Sequence, residues 1–228
     1  MSQLDARSLT NAKRLAMGLP LKPPMRRAQV AARAGPTGVP TNTKDGCIQL
    51  LNDGTFAGYV SKDFNAYGEA TITQDINDCL QVRIDLDVCP SGQSDIQTLN
   101  GPSATYPFFG AISGYSSSQN LNSGQSGYTY LGGTLQTAAN SSPALGGNTF
   151  TSTTHYAEEI ESAIWTCHDE GNGDFHLSPQ WVNLDSTHPA TYLGYFAPAD
   201  ALFLSGDMSK FITNYGQATL LDLEFFPL

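Results

Sequence analysis

An all-β fold, an antiparallel β-sandwich of many short strands, is what this sequence predicts, on three observations. The first is alternation. In "LQVRIDLDV" (80–88), Leu80, Val82, Ile84, Leu86 and Val88 face one way and Gln81, Arg83, Asp85 and Asp87 the other, the period-2 pattern of a half-buried strand. The second is spacing: from Cys47 onward, short runs of this texture are separated by Gly, Asn, Ser and Pro, with no long helical periodicity between them. The third is charge. Seven of the eleven basic residues (Arg7, Lys13, Arg14, Lys22, Arg26, Arg27 and Arg33) precede position 35 with one acid, Asp5. That segment carries +6, so the remainder of the chain, whose net charge is −10, carries −16. A flexible basic, Pro-rich arm (1–45) and a single sandwich domain (46–228) follow.

Within the arm, "SLTNAKRLAMGL" (8–19) places Leu9, Ala12, Leu15 and Ala16 on one side of a short helix, and the prolines of "GLPLKPPMRR" end it. Lys13-Arg14 and Arg26-Arg27 are dibasic, so cleavage after Arg14 and Arg27 by a processing protease is expected and the arm is read as a pro-segment. The competing reading is an arm drawn onto the acidic body. The opening "MSQLDARS" has no hydrophobic region, while four cysteines and abundant Gly, Ser, Thr, Asn and Tyr suit an extracellular protein. The expectation is therefore secretion, with a leader already trimmed.

Along the body, strands are predicted in "CIQLL", "AGYVSK", "YTYLGGTLQT", "IESAIWTC", "FHLSPQWVN", "ATYLGYFA", "ALFLSG" and "TLLDLEFF". One short helix interrupts them at "GDMSKFITNYG". Asp207 caps its start, Met208, Phe211 and Ile212 supply an apolar side, and Gly216 suits the left-handed stop. From Ile96 to Ala157 there is no Asp, Glu, Lys or Arg. Long Gly/Ser loops account for this plainly. The sharper reading is a neutral surface of Tyr115, Tyr128 and Tyr130 with Ser, Asn and Gln, offered to polysaccharide or to another copy of the chain.

"RLAMGLPLKPPMRR" resembles the Arg-Leu-Ala-x-Gly-Leu-Pro leader segment of many secreted proteins of mushroom-forming fungi. "GCIQLLNDGTFAGYVSKDFNAYGEA", "LNGPSATYPFFGAISGY", "YTYLGGTLQT", "EIESAIWTC", "LSPQWVN" and "ALFLSGDMSKFITNYG" likewise resemble a family of uncharacterised secreted basidiomycete proteins. The resemblance implies secretion and a compact extracellular domain. It carries no activity, substrate or catalytic residue, and "CHDEGNGDFH" departs from the family pattern.

That decapeptide (167–176) offers Cys167, His168 and His176 with Asp169 or Asp174 as a zinc set. A hairpin explains the same letters: Asn172-Gly173 is the favoured pair for a two-residue type I′ turn. Centred there, Asp169 faces His176, Glu170 faces Phe175 and Ile164 faces Trp181. The hairpin is preferred, no metal or other cofactor is expected, and an EF-hand loop is excluded by its missing acids.

No Gly-x-Ser-x-Gly, His-Glu-x-x-His, phosphate-binding glycine loop or Cys-x-x-Cys occurs. Glu158, Glu159 and Glu161 in "HYAEEIES" are the candidates for a carbohydrate-active hydrolase, which needs two carboxylates facing across a cleft; Asp85, Asp87 and Asp185 are the remote partners considered. In the register above, Trp165 and Trp181 point to opposite faces, leaving Trp165 as a candidate sugar platform. Asn140 in "NSSP" is the ordinary N-glycosylation acceptor. The acidic body argues against nucleic acid, and no stretch approaches the ~18 apolar residues of a membrane helix.

Four cysteines allow three pairings. Cys79 and Cys89 flank the clearest strand, and ten steps at about 3.3 Å hold their Cα atoms some 33 Å apart if it is continuous. A disulfide needs about 4.4–6.8 Å, so Cys79–Cys89 is excluded. Cys47–Cys79 with Cys89–Cys167 is favoured, and Cys47–Cys89 with Cys79–Cys167 remains. The leading functional expectation is an extracellular binding or assembly protein of the fungal wall or matrix; the alternative is the hydrolase.

Overall fold

The computed structural model describes residues 42–171 and 173–228. The expected processing sites Arg14 and Arg27 lie outside the described residues. Fourteen antiparallel strands and two short helices are present among them. The strands are β1 (Thr43–Asn52), β2 (Thr55–Val60), β3 (Ile72–Thr73), β4 (Gln81–Asp85), β5 (Gln97–Thr98), β6 (Phe108–Ser113) and β7 (Tyr128–Thr134). They continue as β8 (Ala144–Leu145), β9 (Glu159–Glu161), β10 (Trp165–Asp169), β11 (Phe175–Pro179), β12 (Tyr192–Phe196), β13 (Ala201–Ser205) and β14 (Thr219–Pro227). The helices are α1 (Thr149–Thr154) and α2 (Met208–Tyr215).

The architecture is a barrel rather than a sandwich. Hydrogen bonding runs β14-β12-β13-β7-β6-β5-β4-β1, and β1 pairs again with β14, closing eight strands. Closure rests on the length of two strands. Residues 43–47 of β1 pair with β4, residues 46–51 with β14, and residues 49–52 with β2 across a bulge at Leu50/Leu51. On β14, residues 222–227 take β1, 219–221 take β12 and 223–225 take β11. One side of each strand therefore points inward: Ile48 and Leu50, Val82 and Ile84, Phe109 and Ala111, Leu131, Leu202 and Leu204, Leu193, and Leu221, Leu223 and Phe225 are all buried in one cluster. Eight strands leave an interior just wide enough for side chains to fill. Alternation looks the same in a sandwich and a barrel. The pairing that distinguishes them, such as Gln49 donating to Glu224 at 2.5 Å, joins residues 175 apart.

Thr43, Lys44 and Asp45 lie in β1, with Asp45 ion-paired to Arg83 at 2.6 Å. The run at 80–88 is shorter than its alternation suggests. It stops at Asp85, whose carboxylate accepts from the Asp87 amide and whose carbonyl accepts from Cys89. Local capping by an Asp beats the continuing apolar pattern there.

The disulfides are Cys47–Cys79 and Cys89–Cys167, with Cα separations of 6.0 and 5.2 Å. This is the favoured pairing. The 207–216 helix forms where expected, with Asp207 accepting from the Lys210 amide, and it ends at Gly216 with φ 115° and an extended ψ of −179° rather than in the expected αL conformation. Its Phe211 stacks on Phe203 at 4.0 Å, on the outer face of the barrel.

The 167–176 hairpin is shifted by one residue. His168 faces His176, Cys167 faces Leu177 and Trp165 faces Pro179. The Glu170 amide donates to Asp174 O, and both Gly171 (φ 81°) and Gly173 (φ 100°) take positive φ. The connection is thus an odd-numbered loop flanked by two glycines, not the two-residue Asn172-Gly173 turn. A one-residue slip exchanges the faces, so Asp169 no longer opposes His176.

Candidate functional site: a tyrosine face between two helices

The tyrosines begin with β7. Tyr128 and Tyr130 lie two residues apart and so share the outer face of the barrel, with ring centroids 5.4 Å apart and edge-on. Each leans on a different helix. Tyr130 stacks on Phe150 of α1 at 5.0 Å, while Tyr128 meets Phe211 and Tyr215 of α2 at 5.7 and 5.3 Å. The Tyr128 hydroxyl donates to the Tyr115 carbonyl at 3.0 Å and lies 3.4 Å from the Tyr130 hydroxyl. Tyr115, on the turn after β6, packs against Tyr156 just beyond α1 at 4.7 Å. The structure thus brings the three expected tyrosines together and adds two, Tyr156 and Tyr215.

Gly114 makes this approach possible. A Cβ there would lie 2.3 Å from the Tyr128 ring, well inside van der Waals contact. Beside Tyr215 the connection between β6 and β7 and the helix α2 form an open hollow of about 520 Å³, lined by Ser116, Ser117, Gln125, Ser126, Lys210 and Asn214 among others. Asn214 donates to Ser126 at 2.6 Å, and Asp207 holds the Gly124 amide at 2.8 Å. Hydrogen bonds from Ser209, Gly124 and Lys210 hold the Asp207 carboxyl down at about 2. The floor of the hollow is tied to the helix N-terminus through that acid.

Two carboxyls stand near the phenols. Burial raises the Tyr128 phenol, and Tyr215, Glu69 and Glu158 add to the shift; burial likewise raises Tyr130. Glu69 is itself raised by burial, against the pull of Asn65, which donates to it at 2.7 Å. Glu158 is raised by partial burial and by neighbouring Glu159.

Glu161 stands apart from the other acids of "HYAEEIES" by its burial. Glu161 is 2% exposed, and its carboxyl oxygens accept from the Val182 amide at 3.0 and 3.2 Å. Burial lifts it to about 9. It is sealed from substrate, which removes it from any cleft pair. Asp85 and Asp185 are engaged in their own turns, Asp185 accepting from Thr187 at 2.6 Å.

Trp165 is not a sugar platform. It is fully buried, stacks on Phe109 at 5.4 Å and donates its indole N–H to the Phe109 carbonyl at 2.6 Å. Trp181 is buried too, donating to Gln119 O at 2.9 Å. The shifted hairpin register is what overturns the opposite-face expectation.

Among the described residues no three His, Cys, Asp or Glu side chains are placed to hold a metal. Cys167 is disulfide-bonded, Asp169 caps the Gly171 amide at 2.7 Å, and His176 pairs across to Glu224 on β14 as well as to His168. The Asp174 carbonyl closes the loop. Asn140 is exposed in a left-handed turn (φ 58°), but the hydroxyl of Ser142, its acceptor motif's third residue, is bonded to Asn183 O at 2.9 Å.

No protein-family model, curated protein or solved structure matches this chain. Among the described residues no helix is long and apolar enough to cross a membrane.

Proposed function

We propose that this chain is an extracellular carbohydrate-binding protein of a fungal wall or matrix, holding neutral polysaccharide, and copies of itself along it, on the tyrosine face. One observation carries the reading: the exposed Tyr215 lines a hollow of serine hydroxyls and side-chain amides, and the exposed rings of Tyr115 and Tyr156 pack together on the same tyrosine face. A sugar ring presents C–H bonds on its faces and hydroxyls at its rim. Tyrosine supplies apolar area with a polar tip and little conformational entropy to lose, and Ser, Asn and Gln meet the hydroxyls. Two disulfides and the paucity of lysine suit the extracellular setting. The buried Glu161 favours binding over the two-carboxylate hydrolase.

The test is retention on insoluble chitin, β-glucan, cellulose and xylan, together with sedimentation over a wide concentration range. Saturable retention on at least one polymer, weakened in Tyr215→Ala, is expected. Strict monomers with no retention on any polymer contradict the proposal.

A further inference from the structure

Of the aromatic contacts on this face, the one between Tyr115 and Tyr156 is unlike the rest. Both residues are phenols, both are about half exposed (47% and 54%), and their rings lie 4.7 Å apart at 46°. Neither position is left to chance. A turn fixes the Tyr115 backbone, Ser117 N–H to Gly114 O at 2.8 Å. The left-handed His155 (φ 67°), whose amide donates to Thr151 O, delivers Tyr156 at the end of α1.

We infer that Tyr115 and Tyr156 are a site of oxidative coupling, joined as an in-chain dityrosine by a one-electron oxidant of the haem-peroxidase class acting with hydrogen peroxide. Each phenol gives up one electron and one proton. The two phenoxyl radicals join through the ring carbons beside their oxygens, and the two hydrogens on those carbons shift to the oxygens, restoring both phenols. The two protons and two electrons given up, the two hydrogens by which the chain becomes lighter, reduce one hydrogen peroxide to two waters. Coupling needs two radicals to meet before either is quenched, and prior positioning raises the effective concentration of the second ring by orders of magnitude.

The other tyrosines are less suited. Tyr128 and Tyr130 touch edge-on at 71°, and burial raises both phenols, which opposes the proton loss that accompanies oxidation. Tyr215 meets Tyr128 at 77°. Tyr67 and Tyr192 are exposed, yet neither has an aromatic ring against it among the described residues. A bond between Tyr115 and Tyr156 would tie the turn after β6 to the segment after α1, covalently bracing the face that β7 supports. This goes beyond glycan binding and does not depend on it.

The experiment treats the dilute full chain with a haem peroxidase and hydrogen peroxide, then reads dityrosine fluorescence, size and cross-linked peptides. The expected product is a monomer two hydrogens lighter, with a Tyr115–Tyr156 peptide and blue fluorescence. Y115F and Y156F, with unchanged circular dichroism, should each lose both signals. Dityrosine found only in dimers, or persisting undiminished in Y156F, or absent while Tyr67 is oxidised, would overturn the inference. Polysaccharide retention by the unoxidised chain is read separately, so either proposal can fail alone.

Discussion

Two aromatic clusters lie on opposite sides of the barrel wall, and they are built to different rules. Inside, Trp165 and Phe109 stack nearly parallel (5°), and both tryptophan N–H groups are spent on backbone carbonyls. Outside, Tyr128 and Tyr130 rest on helices while Tyr115, Tyr156 and Tyr215 keep half of each ring in water. The inner tryptophans have no polar group left to offer, whereas in the outer cluster Tyr115, Tyr156 and Tyr215 remain exposed. An aromatic residue is thus assigned to the core or to recognition by where its polar atom finds a partner, more than by ring size.

This contrast can be broken most sharply at Trp165. Trp165→Ala leaves a large void and orphans the Phe109 carbonyl, so denaturant unfolding should show a loss of ~3–5 kcal/mol. A loss under ~1 kcal/mol would mean the inner stack is not structural. Replacing Cys89 and Cys167 by Ala, which unties the turn after β4 from β10, should cost about 2–4 kcal/mol. The tyrosine face should keep its spectrum.

Buried acids sharpen the comparison through pH. Glu161 holds its proton in the fold to about pH 9, while the unfolded chain releases it near ~4.3. The folded state binds more protons across that window, so stability is full below it, falls as pH rises through it and levels above 9. Asp95 and Glu69, also raised by burial, act in the same direction. The unfolding free energy should drop between pH 5 and 9 by on the order of a few kcal/mol, and Glu161→Gln should flatten part of the decline. An unchanged slope in that variant would assign the effect elsewhere. At the small end, Tyr128→Phe removes the hydrogen bond to Tyr115 O and should cost about 1 kcal/mol. Tyr215→Ala, with half its ring in solvent, should move stability by less than ~1 kcal/mol and yet weaken polysaccharide retention.

What the sequence discloses, and what it withholds, follows the range of the interactions involved. The 207–216 helix is legible because its cap, apolar side and stop all lie within ten residues. The favoured disulfide pairing is the one that forms, although the continuous strand assumed in setting Cys79–Cys89 aside ends at Asp85. Helix α1 is not legible: "TFTSTT" is mostly β-branched and uncharged, and it forms where Asn148 caps it and Phe150 meets Tyr130. The barrel is hidden for the same reason, since β1 and β14 stand at opposite ends of the described chain. The hairpin failed on one residue of register, and with it the placement of Trp165. Tyr215 carried a usable signal, four positions after Phe211 on one helix face. Tyr156 carried none, its neighbours drawing the eye to their carboxyls.

The central claim, that the outer tyrosines form the contact surface, is tested most directly by footprinting. The chain is iodinated at tyrosine with and without saturating amounts of the polysaccharide that retains it, and each site is quantified by peptide mass. The account predicts protection of Tyr115, Tyr156 and Tyr215, with Tyr67 and Tyr192 reacting as before. Equal labelling of Tyr115, Tyr156 and Tyr215 in the bound and free states, or protection confined to Tyr67 and Tyr192, would contradict it.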